Sequence, residues 1–547
     1  MTGMDSFASI VDGRDLPGTA GERSVASPAG GPAFARVGLL SADEAGGALD
    51  AARRAFPAWS ALSFAERARH LERVRALLAD EADAVAALLT REQGKPAGEA
   101  HAAEIFPSLE ALKHLAAHAE DVLRETEVES QTLLLAHKEC RLLAVPYGVV
   151  LVITPWNYPF SIPLICAATA LAAGNTVVLK PAPATTLAGL RVGDLFRRAG
   201  LPAGVLNVVA TDDAVAGALV EDPRVDKIVF TGSVATGKRI MAAAAANLTP
   251  VVLELGGKDP AIVCADADLD QAADGIVWGA FMNAGQTCAS VERVYVDASV
   301  ADAFTEKVVA RTRALRVGDP AHAETDMGPL TLERQRAIVE AHVADAVEKG
   351  ALVRTGGARP DGEGFFYPPT VLTGVDHRMR VMREETFGPV LPIMKVAGLD
   401  EAIRLANDSE YGLTASGWTR DADTARRLQS ELQAGVVSVN DCLTSFGEPT
   451  APWGGFKHSG VGRTHGLAGL REMVQVKYVS RDPARGPKLW WYPYGEELRG
   501  LLARSAQALH ARALWTRLTS QLALLGSGRF RRRAGLGRVV QNADKLF

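Results

Sequence analysis

Apolar residues recur every three or four positions from Ser41 to about Glu99, with charged residues between them, as in FAERARHLERVRALLADEADAVAALLTREQGK. That period is helical. A second stretch of the same kind runs from Ala102 to Glu125. Residues 1–35, rich in Gly, Ser and Pro, read as surface loop, and 131–145 (QTLLLAHKECRLLAV) as an extended hairpin. Then the rhythm changes. Five short apolar runs follow, Val149–Ile153, Thr176–Leu179, Val205–Val209, Lys227–Phe230 and Val251–Glu254, starting 27, 29, 22 and 24 residues apart. Helical runs such as Ile162–Ala173 and Ala235–Ala246 separate them. Strand–helix–strand units at this spacing predict a parallel sheet covered on both faces, with ligands at the carboxyl ends of its strands. A second α/β segment spans 256–470, with strands at Ile262–Cys264, Arg293–Val296, Val390–Lys395 and Val436–Asn440. The fold class is therefore α/β on two parallel sheets.

Composition narrows the class. The 547 residues are 48% hydrophobic with a net charge of −5, which excludes a disordered chain. The cysteines, Cys140, Cys166, Cys264, Cys288 and Cys442, contain no CxxC pair, so zinc-ribbon and dithiol motifs are absent. His114 and His118 sit four apart on a helix with no third ligand, and no metal is expected. A sparse, odd cysteine set fits a reducing compartment. The first fifteen residues carry acids where a signal peptide needs an apolar run, and apolar stretches fall well short of the ~20 residues of a membrane span. A cytoplasmic protein is expected. The last sixty residues differ: 488–547 hold eleven Lys/Arg and three Asp/Glu. Their segment LLARSAQALHARALWTRLTSQLALL reads as a basic amphipathic helix, packed on this or a neighbouring subunit or lying at an anionic membrane. No aromatic–basic stacking pattern points to nucleic acid.

Four segments carry candidate chemistry. Gly232-Ser-Val-Ala-Thr-Gly237-Lys238 nearly matches a triphosphate-binding loop, but Arg239 stands where Ser or Thr must hold magnesium. What remains, Phe230-Thr-Gly232-Ser233, is a strand end and helix start where backbone N–H groups can meet an anion. Glu254-Leu-Gly-Gly-Lys258 puts a carboxylate at the end of an apolar strand. Asn283-Ala-Gly-Gln-Thr-Cys288-Ala-Ser290 sets a thiol among polar neighbours, read as the start of a helix whose dipole favours a thiolate. Thr154-Pro155-Trp156-Asn157-Tyr158-Pro159 fixes an amide donor between two prolines.

Together the ordered motifs PWNYP, VVLKPAP, FTGSVATG, LELGGK, GQTCAS, EETFGPV and PWGGFKHSG resemble the NAD(P)-dependent aldehyde dehydrogenase superfamily, from about residue 40 to 480. The resemblance implies two Rossmann-like domains: a dinucleotide-binding domain at 1–128 and 148–255, and a catalytic domain at 256–470. It also implies oligomerisation strands at 129–147 and 471–482, forming a homodimer or homotetramer; the basic helical tail at 483–547 lies outside the resemblance. It implies Cys288 as nucleophile, Asn157 as oxyanion donor and Glu254 as the base that activates water. Thr154, Trp156, Lys180, Gly232, Ser233, Glu385 and Phe387 would bind NAD or NADP. Strictly NAD-selective members often carry Glu three residues after the lysine; here Pro183 stands there, so dual use or NADP preference is expected, with a lean to NADP tolerance and a modest ratio between the two. Members acting on succinate semialdehyde usually carry two arginines that this sequence lacks. Phe160, Ile162, Met282 and Trp453 would instead line an apolar pocket for an aliphatic or aryl aldehyde, with succinate semialdehyde the alternative. A coenzyme A-acylating enzyme, a silent scaffold and a Cys–His hydrolase using His458 or His465 are the remaining rivals.

Overall fold

The computed structural model describes residues 4–130, 135, 137–483, 488 and 490–528. Two sheets organise the larger of its two compact units, formed by residues up to 122 with 146–474. The first has eight strands, in the order Gly460–Val461, Val251–Glu254, Lys227–Thr231, Val149–Ile153, Thr176–Lys180, Leu206–Val208, Ser9–Val11 and Arg14–Leu16. Its five central strands are parallel. Val149–Ile153 and Thr176–Lys180 are buried along their whole length, which is why they read as continuous apolar runs rather than alternating ones. Strand order reverses between Val149–Ile153 and Lys227–Thr231, so the loops after these two strands open a crevice. Thr154 and Gly232 stand at its floor.

The second sheet has seven strands: Leu352–Thr355, Thr370–Thr373, Val390–Val396, Val291–Asp297, Asp259–Val263, Thr414–Trp418 and Val436–Val439. All pair in parallel except the first with the second. Each sheet owns a hydrophobic core, one centred on Val149, Val178, Ile228 and Leu253, the other on Ile262, Val294, Leu391 and Ala415.

The first thirty-five residues correct the loop reading. Short strands occupy Asp5–Phe7, Ser9–Val11, Arg14–Leu16 and Glu22–Val25, followed by Ala35–Gly38. Ser9–Val11 buries Ile10 and pairs antiparallel with Leu206–Val208. Strands of three or four residues are too short to show a period.

The helical readings resolve into Ala42–Ser60, Phe64–Asp80 and Ala82–Gln93. Ser41 and Ser63 open the first two with capping boxes closed by Glu44 and Glu66. After them a π turn at His101–Ile105 aims Glu104 inward. Lys95 and Glu104 pair at 2.6 Å, both side chains fully buried. Glu104 also accepts from the Ser161 N–H at 2.8 Å, and Lys95 donates to the Asn157 carbonyl at 3.1 Å. The pair therefore clamps the loop 154–160 from below. Lys95→Met strands a buried carboxylate and should cost about 3–5 kcal/mol, read as an earlier urea unfolding midpoint; an unchanged midpoint would contradict this.

The second unit comprises 123–145 and residues from 475 onward. Its three-stranded sheet runs Val474–Arg481, Glu139–Pro146, Thr126–Glu127. The turn of the expected hairpin, 131–134 and 136, lies outside the described residues. Two helices, Glu496–His510 and Leu514–Gly526, follow. No described helix is long and apolar enough to cross a membrane.

Candidate active site

The segment ahead of Cys288 departs most from ordinary backbone. Helix Leu269–Phe281 ends, and Asn283 and Ala284 follow at φ +54°, with Gly285 at φ +72°. A side chain on Gly285 would meet the Gly388 carbonyl oxygen at 2.3 Å. Non-glycine residues in this region cost about 1–2 kcal/mol each, and a buried amide network offsets that strain. Asn283 Nδ2 donates to the carbonyls of Asn157 (2.9 Å) and Gln286 (3.1 Å), and its Oδ1 accepts from Gln93 Nε2 at 2.8 Å. Gln286 Nε2 returns a bond to the Asn283 carbonyl, and its Oε1 accepts from the Thr331 N–H.

Cys288 then sits in a turn that runs directly into strand Val291–Asp297. This corrects the helix-start reading, so no helix dipole acts on the sulfur. Burial pushes the thiol up, and the charges of Asp259, Glu385 and Glu254 push it further the same way. Glu254 is also raised well above the ordinary carboxylate range, first by burial, with Arg463 pulling it partly back. Neither Glu254 oxygen makes a side-chain hydrogen bond. Glu254 thus disfavours the thiolate, while Glu254 itself is raised by burial.

Asn157 Nδ2 donates to the Gln286 carbonyl at 2.9 Å. A primary amide carries two N–H groups, so this bond fixes the side chain beside the Cys288 turn and leaves one donor.

Cys288 opens onto a cavity of about 760 Å³ lined also by Tyr158, Ile162, Trp278, Phe281, Met282, Phe446 and Trp453. Among the described lining residues the charged ones are Glu99 and Asp326, joined by the titratable His322; there is no Lys or Arg. Burial raises Glu99 to about 7. Phe160 is a correction: it is fully buried and does not line the cavity. It occupies the N-cap position of helix Ser161–Ala172, where its backbone N–H points at Glu104.

A second cleft, about 960 Å³, opens at the strand-order reversal and is lined by Thr154, Trp156, Lys180, Pro183, Gly232 and Ser233. Three features fit an extended anionic ligand. A Cβ on Gly232 would lie 2.5 Å from the Phe230 ring, so the backbone there stays bare. The buried Thr154 Oγ1 has no hydrogen-bond partner. Helix Val234–Ala244 presents its N-terminus at Ser233, though the Ser233 hydroxyl itself accepts from the Thr236 N–H as a cap.

Asn157, Glu254, Glu385 and Phe387 stand outside both linings. The Glu385 carboxylate accepts from the Gly257 N–H at 3.0 Å and fills the space over Gly256. Burial first, then the Glu292 charge, raise it to about 8. The Phe387 ring meets Trp156 edge-on at 5.4 Å. Sequence reasoning missed what holds them: Glu292, paired with buried Lys258 at 2.6 Å, accepts from the N–H groups of Thr386 and Phe387, both at 2.8 Å. Gln93, Lys95, Glu104 and Asn283 were missed likewise. Only the position of Lys258 in ELGGK and of Asn283 near the cysteine gave any signal.

His465 and His458 do not line the Cys288 cavity. Burial lowers His465 to about 4, and its ring lies against Phe446. Among the described residues no group of three potential ligands could hold a metal.

Residues 17–479 match the aldehyde dehydrogenase family. The chain is 40% identical over 472 residues to succinate-semialdehyde dehydrogenase [NADP(+)] GabD of Escherichia coli (strain K12), covering 86% of this chain and 96% of that one. It is 37% identical over 476 residues to betaine aldehyde dehydrogenase of Bacillus subtilis (strain 168), with the same coverage. The NAD+ complex of an aldehyde dehydrogenase from Bacillus cereus superposes with a TM-score of 0.85 at 32% identity, over 88% of this chain and 97% of that one. The chain belongs to the aldehyde dehydrogenase family, and it is an oxidoreductase acting on aldehydes.

Proposed function

We propose that the protein oxidises a neutral, apolar aldehyde to its carboxylic acid with NAD or NADP, through a thioester on Cys288. One observation carries this: Cys288 is the one cysteine among the described residues lining the aromatic cavity. The thiol gives its proton to water in the cavity as the sulfur attacks the aldehyde carbon. The resulting thiohemiacetal oxyanion takes the second Asn157 Nδ2–H and the Cys288 N–H; one such donor is typically worth about 10²–10³ in rate. Lys180, Gly232 and Trp156 line the cleft that would hold a dinucleotide, and that group would supply the hydride acceptor needed to oxidise this adduct to a thioester. Glu254 then takes a proton from water as the water oxygen attacks the thioester carbon. The acid leaves and the sulfur is regenerated.

The substrate reading rests on charge. The relatives' names span an anionic and a cationic aldehyde, so similarity does not choose. Recognition of a buried carboxylate calls for Arg or Lys, and the cavity lining offers Glu99 and Asp326 instead. Octanal should exceed succinate semialdehyde in kcat/KM by about tenfold or more, the scale of a few buried methylenes. A higher value for the semialdehyde would reverse the assignment.

Cofactor preference follows from Asp213. Lys180 ends its strand buried, and its Nζ lies 3.4 Å from Asp213 Oδ1. Asp213 and Arg23 line the same cleft. A carboxylate beside the ribose-reading position favours a 2′-hydroxyl over a 2′-phosphate. It comes from the helix start after the next strand, so the proline at 183 does not leave the site without an acid. NADH should bind more tightly than NADPH, and Asp213→Asn should raise NADPH affinity about fivefold with little change for NADH, measured by fluorescence titration. An unchanged ratio would remove Asp213 from this role.

We place the enzyme in the cytoplasm as a homo-oligomer. The described cysteines are all free, and the edge strand Val474–Arg481 exposes Val476, Tyr478 and Val479, an apolar edge of the kind pairing covers.

A further inference from the structure

The C-terminal segment lies past residue 479, where the family match ends, and forms a helical hairpin of Glu496–His510 and Leu514–Gly526. Its inner face is small. Leu498, Leu501, Ala508 and Leu524 are its buried apolar cluster, with Trp490 packed against them. Ser505 and Ser520 are buried on the same face. That cluster uses one side of the second helix only.

The other side is apolar and faces outward. Leu514, Leu518, Leu522 and Leu525 are spaced four, four and three residues apart, which is one helical stripe, and all four are exposed. Trp515 stands next to the stripe, 79% exposed. Trp491, Tyr492 and Tyr494, also exposed, precede the first helix. Scattered single hydrophobics on a surface need no explanation, but a leucine stripe with an exposed Trp beside it does.

Charge identifies what covers it. Arg499, Arg504, Arg512 and Arg517 of the hairpin are exposed, and 488–547 as a whole has eleven Lys/Arg against three Asp/Glu. Convex leucines, aromatics with an apolar body and a polar tip, and arginines beside them match the layered chemistry of a lipid headgroup region. The second helix has 13 residues, too few to span a bilayer. We propose that this hairpin docks flat on an anionic membrane surface through the Leu514–Leu518–Leu522–Leu525 stripe and Trp515, holding the enzyme where apolar aldehydes partition.

The test is co-sedimentation of the full-length protein with phosphatidylcholine vesicles, with and without about 25% phosphatidylglycerol. Binding should be at least about tenfold stronger to the anionic vesicles and should fall steeply between about 50 and 500 mM salt. A double variant, Trp515→Ser with Leu522→Ser, should lose about tenfold in binding, and Arg512→Gln with Arg517→Gln should lose selectivity for the anionic vesicles. Oxidation of a soluble aldehyde should be unchanged in both. Equal binding to neutral vesicles, or full binding by the serine variant, would overturn the proposal. So would absent lipid binding with a lowered sedimentation coefficient in the serine variant, which would assign the stripe to a second copy of the chain.

Discussion

Cys288→Ala lowers aldehyde-dependent reduction of the dinucleotide by about 10⁴-fold or more, the scale on which removing a covalent nucleophile acts, while NADH affinity stays within about twofold. The other cysteines cannot substitute. Cys140, Cys166, Cys264 and Cys442 do not line the cavity. Cys288 lines that cavity and is not fully buried, so an incoming carbonyl can reach it. Steady-state rates with octanal, paired with NADH fluorescence titration, check both parts. Residual activity above about one percent would move the nucleophile elsewhere.

Glu254→Gln produces a different failure. Its expected loss in steady-state turnover is about 10²–10⁴-fold, the range for a positioned base. The first turnover should survive, because the thioester forms before water is needed, so a burst of reduced cofactor stoichiometric with enzyme should precede a stalled steady state. pH dependence follows from the raised carboxyl. Water activation needs the ionised form. With its pKa lifted by burial, the competent fraction falls tenfold for each pH unit below that value. The parent should therefore gain turnover with rising pH, with a slope approaching one in log kcat against pH on the acid side of that carboxyl's raised pKa. A flat acid limb in the parent, or an unchanged rate in the variant, would assign water activation to another group.

Much of this site was legible because its residues sit where strands end. Val149–Ile153 and Val251–Glu254 carry unbroken apolar runs, and Asn157 and Glu254 follow or close them directly. Lys180 and Gly232 are readable for the same reason. What the sequence hid is contact across the chain. Lys95 and Glu104 meet only because a π turn rotates Glu104 inward, and no local period announces that. Asp213 reaches Lys180 across 33 positions, so scanning the residues next to the lysine missed it. The helix expected at Cys288 failed for a local reason. Asn283 and Ala284 adopt left-handed backbone that their own propensities disfavour, and only buried bonds from Gln93, Asn157 and Gln286 make the turn hold. Phe160 reads as pocket lining because it follows PWNYP, but its backbone is committed to Glu104 and its ring is buried.

The most direct measurement is intact-protein and peptide mass spectrometry of Glu254→Gln after one rapid mixing with octanal and oxidised dinucleotide. One octanoyl group per chain is expected, located on the peptide that contains Cys288 and released by hydroxylamine. An unmodified Cys288 peptide in a sample that has completed its burst would contradict it.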